Sequence, residues 1–188
     1  AVMSGINETN EMSSQKSFFL NLKLISNNTK VSPVLDTQRM SAFMISNRLN
    51  NPSSSNTPEF VDDIASTGSS TAALYLTKPV VLENSSTSLD VRLTSNVRSS
   101  SVVQVYHRTL GPEDERKIED LSWTPFNTDG SEDTAITPAE NDTTFKEYKY
   151  SVASLNQFTS FQIKIVMKGS ISSYPPIVRD MRTIALAI

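Results

Sequence analysis

The run from Ser160 to Lys168, Ser-Phe-Gln-Ile-Lys-Ile-Val-Met-Lys, constrains the fold more than any other stretch. Phe161, Ile163, Ile165 and Met167 alternate with Gln162, Lys164, Val166 and Lys168. Successive side chains of a strand point to opposite faces, whereas a helix repeats about every 3.6 residues. The spacing therefore puts the first set on one face of a strand and the second on the other, which reads as a half-buried strand. Tyr174-Pro175-Pro176 then holds the backbone extended, and the sequence closes on a second apolar run reaching Ile188.

The same pattern stands near the other end. Laid over Ser17–Ile45 without a gap, Ser160–Ile188 matches Phe161 to Phe18, and Ile163, Ile165 and Met167 to Leu20, Leu22 and Leu24. Pro176 falls on Pro33, Arg182 on Arg39, Ala185 on Ala42 and Ile188 on Ile45. The constant proline-to-arginine spacing favours a duplicated supersecondary unit over a chance likeness of two β-rich segments. On that reading residues 1–50 are an N-terminal arm and the closing strands of a preceding β-module. The chain would be the C-terminal piece of a longer polypeptide. Residues 51–71, rich in Asn, Ser, Thr and Pro, read as a linker, and 72–188 as a C-terminal β-sandwich.

Within the arm, Ser17–Ile25 alternates as a strand and Asn27-Asn28-Thr29 is a turn. Val31–Leu35 is extended, and Gln38–Leu49 fits neither period cleanly but is taken as strand by analogy with the second copy. In the sandwich, strands are expected at Ala73–Tyr75, Val80–Leu82, around Leu89, Val91 and Leu93, and around Val103, Val105 and His107. Further strands are expected at Glu147–Val152, Phe158–Met167 and Val178–Ile188. Asn84-Ser85-Ser86 reads as a turn. Gly111–Asp120 is a charged excursion with one helical turn near Leu121, and Trp123 and Phe126 are expected to cap the sandwich core. Roughly seven or eight short strands with few helical patterns indicate an all-β fold, an antiparallel β-sandwich of jelly-roll or Ig-like type.

Composition bears mainly on function. The 188 residues include no cysteine, which removes disulfides, thiolate metal sites and cysteine nucleophiles. Net charge is −3 with no run of Lys and Arg, so no nucleic-acid partner is expected. No stretch of about 18 apolar residues exists, so no membrane span is expected. His107 is the one histidine and shares a face with Val103 and Val105. That suggests a core-edge position with one hydrogen bond, and a lone histidine without cysteine is a poor start for a zinc site. No Gly-x-Ser-x-Gly elbow accompanies the many serines.

Asp129, Glu132 and Asp133 cluster around Gly130, with Glu140 and Asp142 beyond. Calcium favours such oxygen-rich loops, but the glycine is misplaced for an EF-hand, and a solvated acidic loop is the simpler reading. Glu113, Asp114, Glu115, Glu119 and Asp120 interleave with Arg116 and Lys117 as a solvated face. No two carboxylates can be placed at the separation glycoside cleavage needs. The Asn-x-Ser/Thr matches at Asn7, Asn27, Asn84 and Asn141 are assigned no function. Tyr106, Tyr148, Tyr150 and Tyr174 could stack a glycan, although cross-strand packing explains them more simply. No catalytic, cofactor-binding or metal residue is assigned, and no cofactor is expected.

Several segments carry a likeness to a known group. They are Val31-Ser-Pro-Val-Leu-Asp-Thr-Gln-Arg-Met-Ser, Ser88-Leu-Asp-Val-Arg-Leu-Thr-Ser-Asn-Val-Arg continuing to Val105-Tyr-His-Arg, and Trp123-Thr-Pro-Phe with Phe145-Lys-Glu-Tyr. The closing Ser160-Phe-Gln-Ile-Lys-Ile-Val-Met-Lys-Gly and Pro176-Ile-Val-Arg-Asp-Met-Arg-Thr-Ile-Ala-Leu complete them. Together they resemble the C-terminal region of large virion structural proteins of contractile-tailed, myovirus-type bacteriophages, especially cyanophages, which belong to the tail baseplate and its fibres. The likeness covers most of residues 17–188 and brings no catalytic residue with it. It implies a non-enzymatic structural component of a phage tail, in the baseplate first of all, acting through subunit packing. Its implied partners are other virion structural proteins and further copies of itself, in a virion assembled in the host cytoplasm. The alternative it implies is a receptor- or glycan-binding module of a tail fibre, with a host surface glycan as partner.

Overall fold

A computed structural model of the chain describes residues 21–27, 33–35, 49–51, 62–67, 69–171 and 174–187. Contacts divide the chain into two units, Ala1–Ile45 and Ser46–Ile188. In the first unit, residues 21–27 and 33–35 form no strand, and Leu22, Leu24, Ile25 and Val34 are exposed. The strand expected over 17–25 is therefore absent from its described part. Apolar alternation makes a strand only where a neighbour takes up the backbone N–H and C=O groups. The expected strand over 38–49 lies outside the described residues except for Leu49, as do Phe18, Arg39 and Ile45 of the proposed repeat.

The second unit is a sandwich of two antiparallel sheets. Its described strands are β1 (Leu74–Leu76), β2 (Val80–Ser86), β3 (Ser88–Asn96), β4 (Ser101–Leu110), β5 (Thr124–Pro125), β6 (Lys146–Val152), β7 (Phe158–Gly169) and β8 (Ile177–Leu186). The larger sheet runs β1-β7-β4-β5, with β2 also pairing to β7 beyond β1; the smaller runs β6-β3-β8. The charged excursion ends in a single 3-10 turn, Ile118–Asp120, capped at Leu121.

The core forms where the alternation placed it. Leu89, Val91 and Leu93 of β3 and Tyr148 and Tyr150 of β6 face Val103 and Val105 of β4 and Phe161, Ile163 and Ile165 of β7. Phe126 and Phe158 complete this cluster, and Met167 packs at its margin.

Three further expectations are overturned in the second unit. First, β7 is buried on both faces rather than half-buried. It runs between β4 on one side and β1 and β2 on the other, and its outer face is covered by the chain's own segments. Second, Asn84-Ser85-Ser86 is not a turn but the end of β2. Only Thr87 separates β2, in the larger sheet, from β3, in the smaller. The pairing of β2 to β7 is irregular between Val81 and Ser86, and such a bulge bends a strand so that it can change sheets at a corner. Third, Trp123 does not join Phe126 in the core. The two lie on opposite faces of the larger sheet, Phe126 inside the sandwich and Trp123 outside it with Tyr106 and Val166. An odd spacing of three along extended backbone puts side chains on opposite faces.

Candidate functional site

The polar half of β7 is the first place to look for chemistry, because it is out of water. Lys164 and Gln162 alternate with the core residues of β7, and Arg108 does the same on β4. All three are buried. Two segments cover them: residues 62–67 with 69–71, read from composition as linker, and the stretch from the 3-10 turn to Trp123. The Trp123 N–H donates to the Ile64 carbonyl at 2.8 Å, tying one cover to the other.

Each buried cation has a defined set of partners. The Lys164 ammonium donates to the Asp63 backbone carbonyl and lies 4.9 Å and 4.8 Å from the ring centres of Tyr106 and Trp123. Arg108 stacks 4.2 Å over Trp123. Its Nε and Nη2 donate to Gln162 Oε1 at 2.8 and 2.6 Å, and Nη1 donates to the carbonyls of Glu119 and Leu121. Lys168 pairs with the Asp63 carboxylate at 2.6 Å, which also accepts from Ser69 and Thr71. Burial pushes the Lys164 ammonium down to about 8. Burial by itself raises the Asp63 carboxyl, but hydrogen bonds from Lys168, Ser69 and Thr71 outweigh it and hold the group below its ordinary value. A lysine titrating near neutrality can be a catalytic signal. Here its ammonium is enclosed by two rings and a carbonyl of the same chain. The arrangement fastens the covering segments to the sheet.

Sequence reading passed over Asp63, Arg108, Gln162 and Lys164. One signal was present: Lys164 stands between Ile163 and Ile165 in the most apolar strand of the chain. Asp63, set in a Ser- and Asn-rich stretch, carried none.

His107 lies on the core face with Val103 and Val105, as expected, its ring edge-on to Phe126 at 4.9 Å. The expected hydrogen bond is not formed, and neither ring nitrogen has a partner among the described residues. Its neighbours there are aromatic and aliphatic, and burial pushes the imidazole down to about 4.

The acidic residues turn toward their own backbone. Asp129 accepts from the Ser131 N–H at 3.0 Å, and Glu132 Oε1 from Ile136 N–H at 3.4 Å. Asp133 caps β6, accepting from the Ser151 N–H at 2.9 Å and from its hydroxyl at 2.5 Å. Asp142 pairs with Arg98. In the other cluster Asp114 clasps Arg116, whose hydrogen bonds hold its carboxyl down to about 2.

Of the four tyrosines weighed for glycan stacking, Tyr106, Tyr148 and Tyr150 are buried, and only Tyr174 has an exposed ring, with Arg98 stacked over it at 4.5 Å. Tyr148 and Tyr150 border a cleft of about 180 Å³ with Arg98, Ser101, Glu132 and Ile136. The Tyr150 hydroxyl is buried without a partner among the described residues. Ligand clefts generally start at about 300 Å³, so this one suits waters or a single small polar ring.

The outer face of the smaller sheet is a lattice of solvated ion pairs. Arg92 bridges Asp90 and Glu147 at 2.9 and 3.0 Å, and Arg182 reaches Glu147 at 2.8 Å. Exposed pairs of this kind contribute little stability.

Strand edges complete the surface. The β1–β2 edge is interrupted at Thr77-Lys78-Pro79 and bulged, features that blunt an edge. The β6 edge is covered by Asp133, whose N–H donates to the Lys149 carbonyl at 2.8 Å while its carboxylate takes the Ser151 N–H. The edge of β8 facing away from β3 pairs with nothing among the described residues. It is ten residues long, and Ile177, Ile184 and Leu186 are exposed on it. No protein-family model, curated protein or solved structure matches this chain.

Proposed function

We propose that the chain is a non-enzymatic structural module that acts by packing against other protein chains, as a component of a contractile phage tail and of its baseplate in particular. The open edge of β8 carries the packing part of this reading. The outward-facing backbone groups of this ten-residue strand, without a partner among the described residues, are a template for a further strand, whereas the β1–β2 edge is blunted and the β6 edge covered. The buried cations favour the same reading, since they hold the chain's own carbonyl oxygens and stiffen the larger sheet. The phage-tail part rests on the sequence likeness carried by 31–41, 88–98 with 105–108, 123–126 with 145–148, 160–169 and 176–186.

The test is a cryo-electron microscopy map of the intact particle. Density for the β1–β8 sandwich in the tail, in contact with neighbouring subunits, is the expected result. A particle without that density, or turnover of glycoside or ester substrates by the purified chain, overturns the proposal. A second reading, a receptor- or glycan-binding module, is favoured by the cleft at Tyr148 and the Tyr150 hydroxyl, which has no partner among the described residues. It requires glycan binding that Tyr148→Ala abolishes.

A further inference from the structure

Alternation along β8 decides which of its backbone groups are open. The Leu186 carbonyl accepts from the Thr87 N–H, so Leu186 turns its backbone toward β3. Ile184 and Arg182, at even spacing, do the same, opposite Asp90 and Arg92. Ala185, Thr183 and Met181 therefore direct N–H and C=O to the free edge, while Met181 and Ala185 pack their side chains on the core. Beyond Asp180 the register shifts. Thr94 opposes Asp180 and Ser95 opposes Val178, which leaves Arg179 as the extra residue and brings Val178 round to the open side.

We infer that this edge pairs with the same edge of a second copy, antiparallel, about a twofold axis at Met181. The inference rests on the packing reading above and names the partner. Charge selects the register. With Met181 on the axis, Asp180 of each copy opposes Arg182 of the other, both on the solvent face. The backbone groups of Met181, Thr183 and Val178 meet in hydrogen-bonded positions, with Arg179 accommodated as β3 already accommodates it. Ile177 then opposes Ile184 of the second copy, and each covers the other's exposed face. Centring on Arg182 would place two arginines opposite each other. Centring on Thr183 would set Asp180 against Leu186 and Arg182 against Ile184. The result is one continuous sheet in the order β6-β3-β8-β8-β3-β6. Within each copy Arg182 keeps its Glu147 partner on the far side from the junction, and its Nε lies 3.7 Å from Asp180 of the same chain, so each Asp180 faces one arginine on its own chain and one across the junction.

A single strand pair buries less than the roughly 1,200 Å² of a stable interface, so association in the micromolar range or weaker is expected. Sedimentation equilibrium of the full chain should show a concentration-dependent monomer–dimer exchange. Asp180→Arg and Arg182→Asp, each with an unchanged melting curve, should weaken it at least about tenfold by putting like charges opposite each other. An equimolar mixture of the two variants should restore dimers, because every 180–182 contact across the junction then sets an arginine against an aspartate. Amide exchange of the unaltered chain gives a check that needs no variant. The N–H groups of Val178, Met181 and Thr183 should slow as concentration rises, while those of Arg182 and Ile184, bonded to β3, should not change. A chain monomeric at every concentration, single variants that pair as well as the parent, a mixture that fails to recover, or unchanged exchange at Met181 overturns the inference. Failure of these tests with the sandwich present in the particle removes the twofold pairing alone. A dimer in solution with no density in the tail removes the phage-tail reading alone.

Discussion

His107 shows how far a single residue can be read in advance. Its face was legible, because Val103, Val105 and His107 alternate. Its lack of a partner was not, because that depends on Phe126 arriving from a distant segment and presenting a ring edge. The consequence is a pH dependence. The folded imidazole titrates near 4 and an unfolded one near 6.5, so the fold favours the neutral ring. Stability from this group is complete above pH 6.5 and is lost as pH falls from 6.5 to 4, by about 3 kcal/mol in all. Urea unfolding at pH 7, 5.5 and 4 should show that decline, and His107→Phe should flatten it. Lys164 was harder to read, since a lysine flanked by isoleucines is compatible with an edge strand whose ammonium reaches water. Burial of β7 on both faces came from the covering segments, which no periodicity announces.

At the level of elements, β3, β4, β6 and β7 were legible because each alternates over five or more residues, and the sheet pairing followed the same faces. The corner between β2 and β3 was misread because Asn-Ser-Ser has turn composition, yet it continues a strand. Gly130 shows what the loop after β5 requires. Its φ is +87°, and a Cβ there would lie 3.0 Å from Gln104 Cβ and 3.2 Å from the Val105 carbonyl oxygen. Its own carbonyl accepts from the Val105 N–H at 2.9 Å, so the loop cannot back away without losing that bond. Gly130→Ala should cost about 2–3 kcal/mol, measurable as a lowered urea midpoint with an unchanged slope. The covering segment is held by Asp63. Asp63→Ala should cost about 3 kcal/mol, since it leaves Lys168 without its carboxylate. Because Asp63 is held below its ordinary 3.8, its contribution is present above that pH and lost as pH falls through the folded value. The variant should therefore be less sensitive to acid below pH 3.8.

For the whole molecule, the useful boundary lies earlier than composition suggests. Asn50 bridges to Lys168, its carbonyl accepts from Gly169 and its side chain from Ala72. Asp63, Ser69 and Thr71 complete the cover of β7. A chain beginning at Ser46 should melt cooperatively as a β protein. One beginning at residue 72 should melt well below it, because Lys164 loses the Asp63 carbonyl and Lys168 the Asp63 carboxylate; circular dichroism melts of both decide the point. The pairing of β8 to β3 has a mechanical consequence as well. Nine residue pairs join them, the last setting Leu186 beside Ser88. Traction on the C-terminus along the strand strains all nine together, so they must yield at once. The same pull directed sideways peels them singly, starting at Leu186, and the attachment is strong along one axis and weak across it.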